Sequence, residues 1–210
     1  MTTPLRISFV PGVTIGKWTT RWEERRPETP LEFVAATEAE QVGVVTGGRV
    51  DVGFVRLPIA RDGLSVIRLY GEIAVAVVPA EDQMADAGAA TLADLEGRTL
   101  HDADAPLRDT MELIAAGVGV IVLPHSVARL YSRKGVVAVP VTDAPETEIA
   151  IVWLADATTP DIEEFVGIVR GRGANSSRQT PTPPKERPIR VVEPRKPRPS
   201  RPQQRRRQGR

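Results

Sequence analysis

The residues best placed to do chemistry in this sequence are few and scattered. The first group is the run Gly12-Val13-Thr14-Ile15-Gly16-Lys17-Trp18. A glycine-bearing turn ending in Gly-Lys, between a strand pattern and a helix pattern, resembles a phosphate-binding loop, in which backbone amides cradle phosphate oxygens. The glycine spacing is one residue short of that motif, and Trp18 stands where a Ser or Thr would hold magnesium. Nucleotide hydrolysis is therefore not expected. The weaker expectation survives: Gly12, Val13 and Thr14 offer amides at a helix N-terminus, where the backbone dipoles favour an anion.

Thr37 starts Thr37-Glu38-Ala39-Glu40, a capping box that opens a second helix. Helices that begin at the carboxyl ends of parallel strands converge on one crevice, so Thr37 is a cap and also a candidate ligand contact. Arg56 follows a buried strand pattern directly, where an unpaired guanidinium would be costly. Two readings stay open for it: a structural ion pair, or a fork for a ligand carboxylate. His101 is retained as a further candidate ligand-binding residue, although His101-Asp102-Ala103-Asp104 reads most simply as a solvated turn. Gly117-Val118-Gly119 is half of a dinucleotide fingerprint but follows a helix, which makes it a helix stop. His125-Ser126 lacks the sharp elbow of a hydrolase nucleophile and reads as a helix start.

What is missing narrows the chemistry further. The chain of 210 residues has no cysteine and two histidines, which excludes a disulfide framework, a thiolate zinc site and a cysteine nucleophile. No metal or other cofactor is expected, and no catalytic residue is assigned. No apolar run approaches the roughly 20 residues of a membrane span. The opening MTTPLRISFVPG lacks the layout of a signal peptide. A soluble, cytoplasmic protein without membrane contact is the expectation.

These candidates need elements to hold them. Residues 5–10 alternate as a strand, and Pro11-Gly12 turn the chain. Ile15, Trp18 and Trp22 recur at helical spacing, and Pro27 and Pro30 stop that helix. Residues 31–35 form a second strand, the helix from Thr37 ends at Gly47-Gly48, and residues 50–55 form an almost wholly apolar third strand. This βαβαβ order implies a parallel sheet. Strands are further expected at 65–69, 72–78, 98–100, 120–123, 136–141 and 148–154, with helices at 110–116, 126–133 and 161–170. From residue 174 onward the chain carries a net charge of +10, against −9 for residues 1–173. Residues 173–210 are rich in Pro and Arg and are expected to form a disordered basic tail. Its Arg205, Arg206 and Arg207 are candidate contacts for nucleic-acid phosphates, bound without base reading.

LRISFVPGVTIGKW, LEFVAATEAEQ, GGRVDVGFVRLPI and LIAAGVGVIVLPHSVARL, with the closing strand and helix, resemble the effector-binding domain of LysR-type transcriptional regulators. The resemblance covers nearly all of residues 4–172. It implies an α/β, type II periplasmic-binding-protein-like fold with two lobes joined by crossover strands around a small-molecule cleft. Lobe I would span about 4–78 and 147–172, and lobe II about 79–146. The segment between Leu100 and Asp109 is shorter than in the family, which implies a shortened second lobe. The turn at Gly12 to Thr14 matches a ligand-contacting turn, and Thr37 matches a threonine that touches the effector. Arg56 resembles the arginine of the branch that responds to aromatic-derived acids, which implies a carboxylate effector. The expected protein is a stand-alone effector domain without the family's winged helix-turn-helix, binding and not turning over its ligand. Its implied protein partner is a second copy, or a DNA-binding relative in a heterodimer.

Overall fold

The computed structural model describes residues 3–171, so the expectations for the tail lie outside the described residues. The first sheet contains β1 (Leu5–Phe9), β2 (Leu31–Ala35), β3 (Val52–Leu57), β4 (Leu64–Glu72) and β8 (Thr147–Leu154), in the order β2-β1-β3-β8-β4. β1 runs parallel to β2 and β3, as βαβ connections require. β8 lies antiparallel to both β3 and β4, which makes the whole sheet mixed. The second sheet contains β5 (Ala74–Pro79), β6 (Ile121–Pro124) and β7 (Val136–Pro140), in the order β6-β5-β7. The chain passes from the first sheet to the second between Glu72 and Ala74 and returns between Pro140 and Thr147. β5 thus pairs in the second sheet, although the expected span of lobe I ran to about residue 78.

Burial explains the strand composition. All six residues of β3 are buried because both faces of the sheet are covered. On one face α1 (Gly16–Arg25) and α6 (Pro160–Val169) pack their apolar stripes. Trp18 stacks on Phe54 with centroids 4.9 Å apart, and Trp22 meets Phe165 edge-on at 5.7 Å. The other face is covered by the short α2 (Gly43–Thr46) through Val44 and Val45. In the second lobe α4 (Leu107–Ala115) and α5 (His125–Leu130) cover one face. α3 (Gln83–Ala87) and Leu95 cover the other.

Two expectations change, and one helix is added. The helix expected from Thr37 is a turn until Gly43. The capping box itself forms: Glu40 N–H donates to Thr37 Oγ1 at 3.3 Å, and Thr37 N–H donates back to Glu40 Oε2 at 3.1 Å. The regular ladder starts only after Gln41, whose side chain turns inward to bond the backbone of Arg56. The expected strand at 98–100 is reduced to one parallel bridge, Leu100 to Val120, because the chain leaves the sheet after His101. α3 was not read from the sequence: QMADA is too short to show a period, and its signal is the Asp82 cap that accepts from Met84 N–H at 2.9 Å.

Candidate functional site

The turn after β1 and the start of α5 meet where the two lobes face each other. Gly12 has φ +90°, and a Cβ there would lie 2.3 Å from Ser126 Oγ. Glycine is required at this position twice over, by conformation and by the seating of lobe II against the turn.

Behind that contact sits Arg56 at the end of β3, only 3% exposed. Its Nε and Nη2 both donate to Glu72 Oε2, at 3.1 and 2.9 Å. Nη1 donates to Glu38, and Nη2 also reaches the carbonyl of Pro11 at 3.2 Å. Ser126 Oγ lies 3.5 Å from Nη2. Gln41 clamps the Arg56 backbone, accepting from its N–H at 2.7 Å and donating to its carbonyl at 3.1 Å. One guanidinium therefore ties together the turn after β1, the turn after β2, the crossover strand β4 and lobe II. Of the two readings left open for Arg56, the ion pair is the observed geometry, and its donors face protein acceptors.

In front lies a cavity of about 300 Å³, lined by Gly12, Thr14, Lys17, Trp18, Tyr70, Glu72, Ser126 and Arg129. Lobe I, the crossover strand and lobe II all contribute to it. A register shift in β4 between Arg68 and Tyr70 re-aims the strand where it enters this wall. Burial pushes the Tyr70 phenol above its ordinary pKa, with a smaller push from Glu72. Glu72 is balanced by Arg56, whereas Lys17 and Arg129 have no acidic partner among the described residues. Lys17 Nζ lies 4.5 Å from the centroid of the Trp18 ring. α1 opens without a side-chain cap and without an acid in its first turn. The cavity thus combines two available cations, the three hydroxyls of Thr14, Tyr70 and Ser126, and an uncapped helix start, a setting that attracts an anion.

The sequence-derived candidates divide into two groups. Gly12 and Thr14 line the cavity, and Arg56 stands directly behind it. Val13 is buried in the core of lobe I. Thr37 is exposed in its capping box, outside the cavity lining. His101 is held elsewhere, its backbone N–H donating to Val120 O and its Nε2 lying 2.7 Å from the carbonyl of Val118. Sequence reasoning did not assign Glu72, Gln41, Tyr70 or Arg129 to the site. Glu72 carried one usable signal: it is an acid at the head of an otherwise apolar run. Among the described residues no group of three or more His, Cys, Asp or Glu side chains is placed to hold a metal.

Comparison with known proteins places this geometry in context. The model of the LysR substrate binding domain matches residues 2–110 and 107–174. The two segments overlap at residues 107–110. The Hca operon transcriptional activator HcaR of Escherichia coli is 23% identical over 202 residues, covering 81% of this chain and 68% of HcaR. The BenM effector binding domain with its effector benzoate superposes with a TM-score of 0.68 at 19% identity, covering 80% of this chain and 90% of that one. The OxyR regulatory domain from Pseudomonas aeruginosa gives a TM-score of 0.66 at 18% identity, covering 81% and 96%. The architecture is the type II periplasmic-binding-protein-like fold of these domains, with two sheets joined by crossing segments. The chain belongs to the LysR substrate binding domain family, the effector-binding part of LysR-type transcriptional regulators.

Proposed function

We propose that this domain senses a small carboxylate held between its lobes and passes the event to the transcription machinery through protein–protein contacts in the cytoplasm. The observation that carries the reading is the interlobe cavity lined by both Lys17 of lobe I and Arg129 of lobe II, neither of which has an acidic partner among the described residues. The ligand carboxylate meets these two cations and the first turn of α1, with Thr14 and Ser126 as hydroxyl partners. Its apolar part lies on Trp18 and Tyr70. Arg56 acts from behind, fixing Glu72 and the Gly12 turn so that the cavity keeps its shape. Ligand contacts that span both lobes exist only when the lobes are together, so binding favours the closed arrangement. No bond is made or broken, and the protein is read as a binding module and not an enzyme.

BenM, which superposes on this chain, is described with benzoate, so benzoate and other small organic acids form the first screen. Thermal-shift titration should find stabilising acids, and Lys17→Gln and Arg129→Gln should each weaken the response about tenfold, the loss of one charged hydrogen bond. Equal binding by both variants and the native protein would refute the site.

Two exposed apolar side chains support self-association. Phe33 on the edge strand β2 is 49% exposed, and Leu130 on α5 is 57% exposed. Exposed apolar groups on one element of each lobe suit head-to-tail pairing with a second copy or with a DNA-binding relative. Sedimentation of native protein and a Phe33→Glu, Leu130→Glu variant tests this, the variant being expected as a monomer. The charge separation along the chain supports a second reading. Arg205, Arg206 and Arg207 contact nucleic-acid phosphates, an activity that removal of residues after Arg172 should abolish.

A further inference from the structure

The carboxylate of Glu72 is only half used. It stands at the end of β4, where the chain leaves the first sheet, and its side chain is 6% exposed. An ionised carboxylate offers about four acceptor sites on its two oxygens. Both bonds from Arg56, by Nε and by Nη2, fall on Oε2. Oε1 accepts no hydrogen bond among the described residues. Nor is Oε1 sealed inside the protein: among the described residues, the fully enclosed side-chain atoms without a partner are Thr29 Oγ1 and Thr147 Oγ1. Glu72 lines the interlobe cavity, so that cavity is the space that Oε1 meets.

Three hydroxyls share this lining, and none of them serves Oε1. Ser126 Oγ accepts from Arg56 Nη2 at 3.5 Å, and neither Thr14 nor Tyr70 donates to Glu72. A carboxylate oxygen this far from bulk water is normally satisfied, so the missing partner is a donor on the ligand.

Charge decides which donor. Arg56 balances Glu72, whereas Lys17 and Arg129 have no acidic partner among the described residues. The cavity is therefore net positive, and an ammonium group is repelled from it. A neutral hydroxyl meets no such repulsion. A carboxylate is drawn to Lys17 and Arg129 and pushed away from Glu72, so the two polar groups of one ligand are sorted to different walls.

We infer that the interlobe cavity selects a hydroxy acid: a small carboxylate whose apolar body also carries a hydroxyl, which donates to Glu72 Oε1. This rests on the carboxylate site proposed above and adds a specificity-determining residue to it. Arg56 holds Oε2 and thereby keeps Oε1 turned to the ligand.

The test is calorimetric titration of the full chain with 3- and 4-hydroxybenzoate, each against its methyl and methoxy counterparts, and with 3-(ammoniomethyl)benzoate. The methyl group has no polar atom, and the methoxy group accepts but cannot donate. One hydroxybenzoate should bind about 10- to 100-fold tighter than its methyl counterpart, the worth of one hydrogen bond to a charged group. The methoxy acids should gain nothing over the methyl acids. In Glu72→Gln, Arg56 keeps the amide oxygen and the NH₂ group turns to the cavity, so the advantage of hydroxyl over methoxy should vanish; circular dichroism reports whether that variant is folded. If it does not fold, the ligand series on the native protein decides alone. The inference is overturned if neither hydroxybenzoate exceeds its methyl counterpart, if the ammonium ligand binds tighter than the hydroxyl ligands, or if folded Glu72→Gln keeps the full preference. Methyl acids that bind and weaken in Arg129→Gln, with nothing added by the hydroxyl, would sink this inference and leave the carboxylate site standing. If none of these acids binds, both fall.

Discussion

Replacing Arg56 by Met examines the junction where the lobes are tied. The substitution keeps the bulk of the aliphatic stem and removes both bonds to Glu72, the bond to Glu38 and the bond to the Pro11 carbonyl. Glu72 is only 7% exposed and would be left as a buried charge without its partner. Breaking a buried pair in this way costs about 3–5 kcal/mol. Glu38 adds little, because its side chain is half exposed and water replaces the lost partner. The Gln41 clamp survives, since it holds the Arg56 backbone and not the side chain. For a domain of this size the loss corresponds to a fall in Tm of roughly 6–20 °C. Urea unfolding of the native protein, Arg56→Met, Glu72→Leu and the double variant gives the coupling between the two groups. The double variant should recover most of the loss, because no charge remains buried. A single-variant loss below about 1 kcal/mol, or a double variant no better than Arg56→Met, would refute a tie built on this ion pair.

Other consequences are independent of that one. Gly12→Ala should destabilise the domain by about 1–3 kcal/mol from overlap with Ser126, and Ser126→Gly in the same chain should return the steric part but not the cost of the positive φ; urea unfolding reads both. Thr37→Val should lose about 1 kcal/mol of cap stability while Thr37→Ser stays within a few tenths, and equal midpoints for the two would deny Thr37 a capping role. Bonds from the Thr37 amide and hydroxyl hold the Glu40 carboxyl below its ordinary pKa, so this box stays intact above the usual carboxylate value and loosens as pH falls through the lower folded one. Asp82 follows the same sign, its pKa depressed first by Arg98 and then by the Met84 amide. Its contribution is complete above about pH 3.9 and disappears at lower pH, and Asp82→Asn should flatten that part of the acid-unfolding curve measured by circular dichroism.

Local patterns in the sequence carried much of the fold. The apolar run of β3 announced a strand buried on both faces, and Ile15, Trp18 and Trp22 announced a helix with one buried stripe. Both signals lie within a few residues of chain, where periodicity is informative. The helix expected at Thr37 failed because a tertiary demand prevailed: Gln41 is drawn inward to Arg56. The strand at 98–100 shrank to a bridge because the chain leaves the edge of β6 after His101. At the site, Gly12 and Thr14 were legible from strand–turn–helix logic, and Arg56 from the cost of a charge ending a buried strand. Which acid neutralises Arg56 was not legible, since Glu38 and Glu72 approach it through chain reversals that no spacing encodes. Arg129 reaches the cavity only because lobe II seats Ser126 on Gly12, a contact between residues far apart in sequence.

The interlobe site is tested most directly by calorimetric titration of the acids that stabilise the native chain, repeated on Arg129→Gln. Arg129 stands on lobe II and Lys17 on lobe I, so a carboxylate bridging them should lose about tenfold in affinity when either charge is removed, and affinity should fall with added salt. Unchanged affinity in Arg129→Gln, with no dependence on salt, would contradict an anion held between the lobes.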